Sequence, residues 1–128
     1  MILENELRIG NYVLGQTKQI TKVDGFFNNN KAIYTNVEDE RVRFIIHYLN
    51  ECEGIELTEE ILLKCGFKFE KYFYRIYINE YSEFILAKEN GDNIYYLCDI
   101  DINVNIKYLH QLQNLYFALT GKELNIEL

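Results

Sequence analysis

Short runs of alternating or continuous apolar residues, separated by polar turn residues, run through most of this chain and predict β-strands. The predicted strands are 7–15, 18–23, 31–37, 41–49, 67–79, 84–88, 93–99 and 100–106. Asn90-Gly91, between two of these runs, is the strongest two-residue signal for a β-hairpin. Gly10-Asn11 predicts a bulge or tight bend, and the run of asparagines predicts a loop over 26–30.

Two segments carry helix signals instead. In the first, Thr58 would be the N-cap, two glutamates follow in the first turn, and Gly66 would end the helix in the left-handed conformation. The second runs from about Ile106 to Thr120 and ends at Gly121. Its predicted apolar stripe is Leu109, Leu112, Leu115 or Tyr116, and Leu119. We therefore predict an α+β fold of mainly antiparallel strands, with a short middle helix and a C-terminal amphipathic helix, in a single domain of residues 1–128.

The net charge of the chain limits the kinds of molecule that it is expected to bind. The chain of 128 residues has a formal net charge of −7, which disfavours direct binding to nucleic acid and to anionic membranes. No apolar run approaches the roughly 20 residues that a membrane span needs, and the acidic N-terminus does not resemble a signal peptide. The three cysteines are widely spaced, which favours buried free thiols. We expect a cytoplasmic protein.

Nucleophilic catalysis has little support in the sequence. The chain has no P-loop, no G-x-G-x-x-G and no G-x-S-x-G motif. His47 could in principle pair with Cys52 or Cys65, but no local context supports such a pair. We therefore predict no catalytic residue and no cofactor.

Metal binding is a further alternative, carried by two carboxylates. Asp99 and Asp101 alternate with isoleucines, so both would lie on one face of a strand, where they could hold Mg²⁺ or Ca²⁺. The simpler interpretation is the solvated face of an edge strand, where negative charge opposes aggregation. We predict no metal site, and an enzyme, such as a metal-assisted nucleotide hydrolase using these aspartates, is the least favoured class.

Aromatic residues are the strongest candidates for binding. The chain has 11 tyrosines and 8 phenylalanines, and they are dense over 67–81. Strand alternation would place Tyr72, Tyr74, Ile76 and Ile78 on one face and Phe73, Arg75 and Tyr77 on the other. Aromatic residues on both faces fit a core, yet one face could bind a ligand or partner. The predicted ligand-binding residues are Tyr72, Tyr74, Arg75, Tyr77 and His110, although a structural role for His110 is the simpler interpretation.

Three motifs resemble a group of small proteins of bacteriophages, prophages and their bacterial hosts. They are ELRIGNYV at 6–13, I-x-LTEEILLKCGF at 55–67 and IKYLHQLQNLYFALTGKEL at 106–124. The resemblance identifies a family but no mechanism. It implies an accessory task, such as blocking a host defence protein or sequestering a nucleotide-type immune signal.

Two classes of function therefore remain from the sequence. The first is a non-enzymatic counter-defence protein that binds either a host defence protein or a nucleotide-like small molecule, with no cofactor, and that forms a homo-oligomer. The second is a structural or assembly protein of a phage or mobile element. Self-association without any small ligand would favour the second class.

Overall fold

The structure is a computed structural model that describes residues 2, 4–39, 41–88, 93–98 and 104–128. These residues form ten β-strands and two α-helices, and the strand pairings among them are antiparallel. The α+β class, with a short middle helix and a C-terminal helix, is confirmed. The chain divides into two compact units, Met1–Ile55 (unit 1) and Glu56–Leu128 (unit 2). That residues 1–128 form a single domain stays a prediction. Within the described part of the chain, no helix combines the length and hydropathy required to cross a membrane.

Unit 1 contains two small sheets. Its strands are β1 Tyr12–Leu14, β2 Ile20–Lys22, β3 Gly25–Phe27, β4 Ala32–Asn36 and β5 Phe44–Tyr48. β1 pairs with β2, and the second sheet has the order β3-β4-β5, which leaves β5 at an edge. The core cluster consists of Ile2, Leu7, Val13, Val23, Ile33, Leu49 and Cys52.

Two predictions at the N-terminal end need correction. The strand predicted over 7–15 begins only at Tyr12, because Gly10 takes a φ of 99° and turns the chain, as its bend signal indicated. The loop predicted over 26–30 is shorter, because β3 includes Phe27. The turn is made by the asparagines at 28–30, whose φ values of 55°, 54° and 64° are left-handed, a region that asparagine tolerates.

Unit 2 contains one five-stranded sheet and both helices. Its elements are α1 Glu59–Lys64, β6 Lys68–Glu70, β7 Phe73–Asn79, β8 Ser82–Lys88, β9 Tyr95–Leu97, β10 Asn105–Ile106 and α2 Leu109–Thr120. The sheet order is β10-β9-β8-β7-β6. β8 and β9, the strands on either side of Asn90-Gly91, pair with each other, but the last pair, Lys88 with Tyr95, leaves six residues between the strands rather than the two of the predicted turn. Residues 89–92 lie outside the described residues. The strand predicted over 100–106 is described only from residue 104, where it contains β10.

The short helix α1 has the ends that its sequence predicted. The hydroxyl of Thr58 accepts a hydrogen bond from the N–H of Ile61 at 3.2 Å, which satisfies one of the free donors of the first turn. Gly66 has a φ of 90°, and the N–H of Phe67 reaches back to the carbonyl of Leu62 at 3.1 Å. This left-handed end directs the chain from α1 into β6.

The prediction of one continuous strand over 67–79 is wrong. Lys71 and Tyr72 have φ values of 50° and 74° and form a two-residue turn, in which Glu70 lies opposite Phe73. Two consecutive residues in the left-handed conformation are typical of a tight hairpin turn. Such turns usually contain Asn or Gly, but here the two positions are lysine and tyrosine, so the sequence gives no sign of the turn. Tyr72 therefore lies at a hairpin tip and does not share a strand face with Tyr74.

Helix α2 begins three residues later than predicted, because Ile106 belongs to β10. The side-chain carbonyl of Gln111 accepts hydrogen bonds from the N–H groups of Lys107 at 2.9 Å and Tyr108 at 3.0 Å, and so caps the first turn. The helix ends at Gly121, whose φ is 72°, as predicted.

The buried face of α2 is also displaced from the predicted stripe. The buried residues are Leu109, His110, Leu112, Gln113 and Tyr116. Leu119 was predicted in the stripe but is 51% exposed. An α-helix has 3.6 residues per turn, so Gln113 and Tyr116 lie on the same side of the helix as Leu109. Leu115 and Leu119 are rotated away from that side. His110 lies in the first turn of α2.

Candidate binding surface

The inner face of the five-stranded sheet of unit 2 is a packed aromatic core. Tyr74 and Tyr95 meet edge to face, with ring centroids 5.6 Å apart, and Phe84 lies 5.4 Å from Tyr116 of α2. Through this contact, α2 covers the inner face of the sheet. Burial raises the pKa of Tyr95 to about 12, and the charges of Tyr74 and Glu59 add to the effect. These side chains are buried and stabilise the core, so they are not available at the surface.

The opposite side of this sheet, the outer face, is defined by the residues that alternate with the inner ones along β7. Strand register places Lys68 and Ile85 on either side of Arg75, and Glu83 beside Tyr77. The outer face includes Lys68, Glu70, Phe73, Arg75, Tyr77, Glu83, Ile85, Ala87, Tyr96 and Asn105. The predicted grouping of Phe73, Arg75 and Tyr77 on one face of β7 is therefore confirmed.

Arg75 is held near the middle of the outer face. Its Nη1 lies 2.9 Å from Oε2 of Glu83, and its guanidinium carbon lies 5.7 Å from the ring centroid of Phe73. Both members of the ion pair are partly buried, with side-chain exposures of 23% and 32%. Because Glu83 already balances this charge, a phosphate group would have to displace a carboxylate to reach Arg75.

Tyrosines at the hairpin ends of unit 2 are unusually exposed. Tyr77 is 60% exposed on the outer face, and Tyr81, in the turn between β7 and β8, is 92% exposed. The backbone N–H of Tyr81 donates to Oδ1 of Asn79 at 2.8 Å, which fixes the backbone that presents this ring. We name Tyr77 and Tyr81 the tyrosine patch, since both lie at the same end of the β7–β8 hairpin.

The structure brings together only part of the predicted ligand-binding set. Arg75 and Tyr77 share the outer face, whereas Tyr74 lies on the inner face. Tyr72 is 87% exposed at the β6–β7 turn, beyond the other end of β7. Tyr81 was missed by sequence reasoning, although a lone aromatic residue between polar turn residues, as in Asn-Glu-Tyr-Ser, is a signal that could have found it.

His110 belongs to the interior of unit 2. It is 1% exposed, and its ring is stacked on that of Tyr108, with centroids 5.8 Å apart and an angle of 11° between the planes. Nζ of Lys107 lies 5.3 Å from the centroid of the same tyrosine ring. This packing positions the start of α2, and it agrees with the structural role that the sequence favoured for His110.

The buried thiols are poor nucleophiles. Burial raises the pKa of Cys52 to about 11, with a further increase from the charge of Glu51, and burial raises the pKa of Cys65 to about 12. Because the thiolate is the reactive form, both cysteines remain protonated and inert near neutral pH. Their positions therefore support a packing role.

The imidazole ring of His47 is buried in unit 1. It is 3% exposed in β5, and neither ring nitrogen makes a hydrogen bond within the described part of the chain. Burial lowers its pKa below the usual value, although the carboxylate of Glu51 opposes the shift. The imidazole is therefore neutral in the folded protein near pH 7.

We expect the stability of the protein to fall as the pH is lowered through 6.5, the usual pKa of histidine. The unfolded chain takes up the proton at His47 more readily than the folded chain, so acid favours unfolding until the folded-state pKa is passed. The measurement is the free energy of unfolding between pH 5 and 8, from urea titrations of the wild type and of His47→Gln. The variant should show a flatter profile; parallel profiles would assign the pH dependence to other groups.

Metal chemistry finds no support in the described residues. Among them, no group of three or more His, Cys, Asp or Glu side chains is arranged to hold a metal ion. Asp99 and Asp101, the carboxylates considered from the sequence, lie outside the described residues.

The geometry of unit 2 therefore presents a binding surface more clearly than a reaction centre. Its exposed aromatic rings lie on β-hairpins, and its only outer-face guanidinium among the described residues is paired. Comparisons with protein-family models, with curated proteins and with solved structures find no match to this chain.

Proposed function

We propose that this protein is a non-enzymatic accessory protein that binds and neutralises a protein of a bacterial host, with the tyrosine patch as the centre of its contact surface. The phage origin implied by the three motifs supports a counter-defence role in the cytoplasm of the host. The observation that carries the proposal is the exposure of Tyr77 and Tyr81, at 60% and 92%, on an ordered hairpin.

Tyrosine suits this role for physical reasons. Its ring offers a large contact area, its hydroxyl can donate or accept a hydrogen bond, and it has few torsions to immobilise on binding. Tyrosines are accordingly enriched at the energetic centres of protein interfaces. Because Tyr81 makes so little contact with its own chain, stability alone does not account for an aromatic residue at that turn.

The surface fits a protein partner better than a nucleotide. Sequestering a nucleotide requires a concave site with cations for its phosphates. Arg75 is already paired with Glu83 at 2.9 Å, and two of the other predicted contacts, Tyr74 and His110, are buried. The net charge of −7 adds to the case for a basic protein surface as the partner.

The test begins with affinity capture of the partner from lysate of a bacterial host, followed by titration calorimetry with the purified partner. We expect Tyr81→Ala and Tyr77→Ala each to raise Kd at least about tenfold, because each removes a ring from the centre of the interface. Tyr72→Ala is the matched control, since this tyrosine is 87% exposed but lies at the β6–β7 turn, beyond the other end of β7.

The same experiment distinguishes the alternatives. Equal affinity of the wild type and both patch variants would reject the tyrosine patch as the contact surface. A Kd that rises steeply with salt while the tyrosine variants bind normally would indicate acidic side chains instead. Native mass spectrometry with a panel of cyclic and ADP-ribose-type nucleotides tests sequestration, and an intact adduct would replace the proposal by a nucleotide-binding role.

A further inference from the structure

Strand β5 is an exposed apolar edge. It spans Phe44–Tyr48, the sequence is FIIHY, and it forms the end of the β3-β4-β5 sheet. Phe44 and Ile45 are each 44% exposed and Tyr48 is 52% exposed. An edge strand of this kind is a template for pairing with another strand, unless charges, proline or a bulge protect it.

The outer side of the β5 backbone carries N–H and C=O groups that pair with no other strand among those described. Leu49 donates to the carbonyl of Lys31 at 3.0 Å, and Val37 donates to the carbonyl of Arg43 at 3.1 Å. In an antiparallel ladder the hydrogen-bonded positions alternate, so the odd-numbered residues of β5 bond to β4. The N–H and C=O groups of Phe44, Ile46 and Tyr48 therefore point away from the sheet.

Other edges among the described strands are better protected. β6 is three residues long and has Lys68 and Glu70 at its two ends, and β10 has only two residues. β3, at the far edge of the sheet that contains β5, has three residues and includes Gly25. β1 and β2, which form a two-stranded sheet and are both edges, have three residues each. Short, charged or glycine-containing edges discourage pairing, and β5, with five residues, is the longest edge among the described strands.

We propose that β5 pairs antiparallel with β5 of a second copy of this chain and joins two three-stranded sheets into one. The register that uses all three outward residues places Ile46 opposite Ile46 of the second copy and Phe44 opposite its Tyr48. It forms about six backbone hydrogen bonds across a two-fold axis. Aromatic cross-strand pairs then cover rings that are exposed in the single chain.

Charges at the two ends of β5 favour this direction of pairing. Arg41 and Arg43 precede the strand, Glu51 follows it, and all three are exposed. Antiparallel pairing brings the arginine end of one copy beside Glu51 of the other, twice in the dimer. Parallel pairing would bring arginine beside arginine, which is unfavourable. The charges at the ends of β5 therefore favour a second copy of this chain, paired antiparallel, as the partner of this edge.

The experiment measures self-association by sedimentation velocity over a concentration series. We expect a monomer–dimer equilibrium whose Kd rises at least about tenfold in Phe44→Lys, since each copy loses an aromatic pair and gains a charge at the interface. Phe69→Lys is the matched control, because Phe69 is 52% exposed on the edge strand of unit 2 and should not affect the dimer.

A charge exchange tests the register. Arg41→Glu should weaken the dimer, and the double variant Arg41→Glu/Glu51→Arg should restore it, since the opposite charges face each other again. A wild type that stays monomeric at the highest attainable concentration overturns the proposal. So does a dimer that Phe44→Lys leaves intact, or one that the charge exchange fails to restore. Binding of a partner through the tyrosine patch is measured separately and does not depend on these outcomes.

Discussion

Replacing Phe67 with alanine is expected to lower the free energy of unfolding by about 3–5 kcal/mol, the usual cost of removing a buried phenyl ring. Phe67 is 2% exposed, and its ring meets that of Phe84 at a centroid distance of 6.1 Å and an angle of 74°. It also follows the left-handed end of α1, so its ring anchors the connection between helix and sheet. Urea unfolding followed by far-ultraviolet circular dichroism measures the effect.

Phe69→Ala is the control for this prediction. Phe69 lies two residues later and is 52% exposed, with its ring 4.9 Å from that of Tyr74. It loses little burial on truncation, so we expect a loss of about 1 kcal/mol or less. Equal destabilisation by the two substitutions would contradict the assignment of Phe67 to the core.

Alanine at position 15 is expected to destabilise unit 1 by about 1–3 kcal/mol through overpacking. A Cβ atom on Gly15 would lie 2.8 Å from Oγ1 of Thr21 and 2.9 Å from Cε1 and Nδ1 of His47. Both neighbours are 3% exposed and belong to different strands, so neither can move aside without disturbing a buried contact. Thermal and urea unfolding of Gly15→Ala measure this cost.

A double-mutant cycle identifies the steric origin of that cost. Thr21→Ala removes the oxygen that the new methyl group would meet, so the double variant Gly15→Ala/Thr21→Ala should lose less stability than the sum of the single variants. Gly121→Ala is a contrasting control. Nothing lies within 4 Å of its added Cβ, but its φ of 72° makes alanine unfavourable for backbone reasons alone. Additive energies in the cycle would show that crowding against Thr21 is not the cause.

Local signals in the sequence predicted local structure well. Thr58 and Gly66 mark the ends of α1 because a cap and a left-handed stop depend on only a few neighbouring atoms. The turn at Lys71 and Tyr72 was not predictable in this way, because neither residue prefers a positive φ and the pairing of β6 with β7 imposes it. The error placed Tyr72 on the wrong part of the surface.

The candidate surface was predictable only in part for a related reason. Alternation along β7 separates Tyr74 from Arg75 and Tyr77, but it does not say which of the two faces the helix covers. The contact between Phe84 and Tyr116 shows which face α2 covers, and it joins residues far apart in the sequence. The burial of His47 beside Gly15 depends likewise on long-range packing that no local pattern contains.

Each strand of the five-stranded sheet pairs only with its immediate neighbours along the chain, in the order β10-β9-β8-β7-β6. The three-stranded sheet of unit 1 has the same sequential arrangement. Strand pairs that are close in sequence need only short loops to close, which keeps the entropic barrier to folding low. During synthesis, each hairpin can form as soon as its second strand leaves the ribosome, before the next strand has emerged.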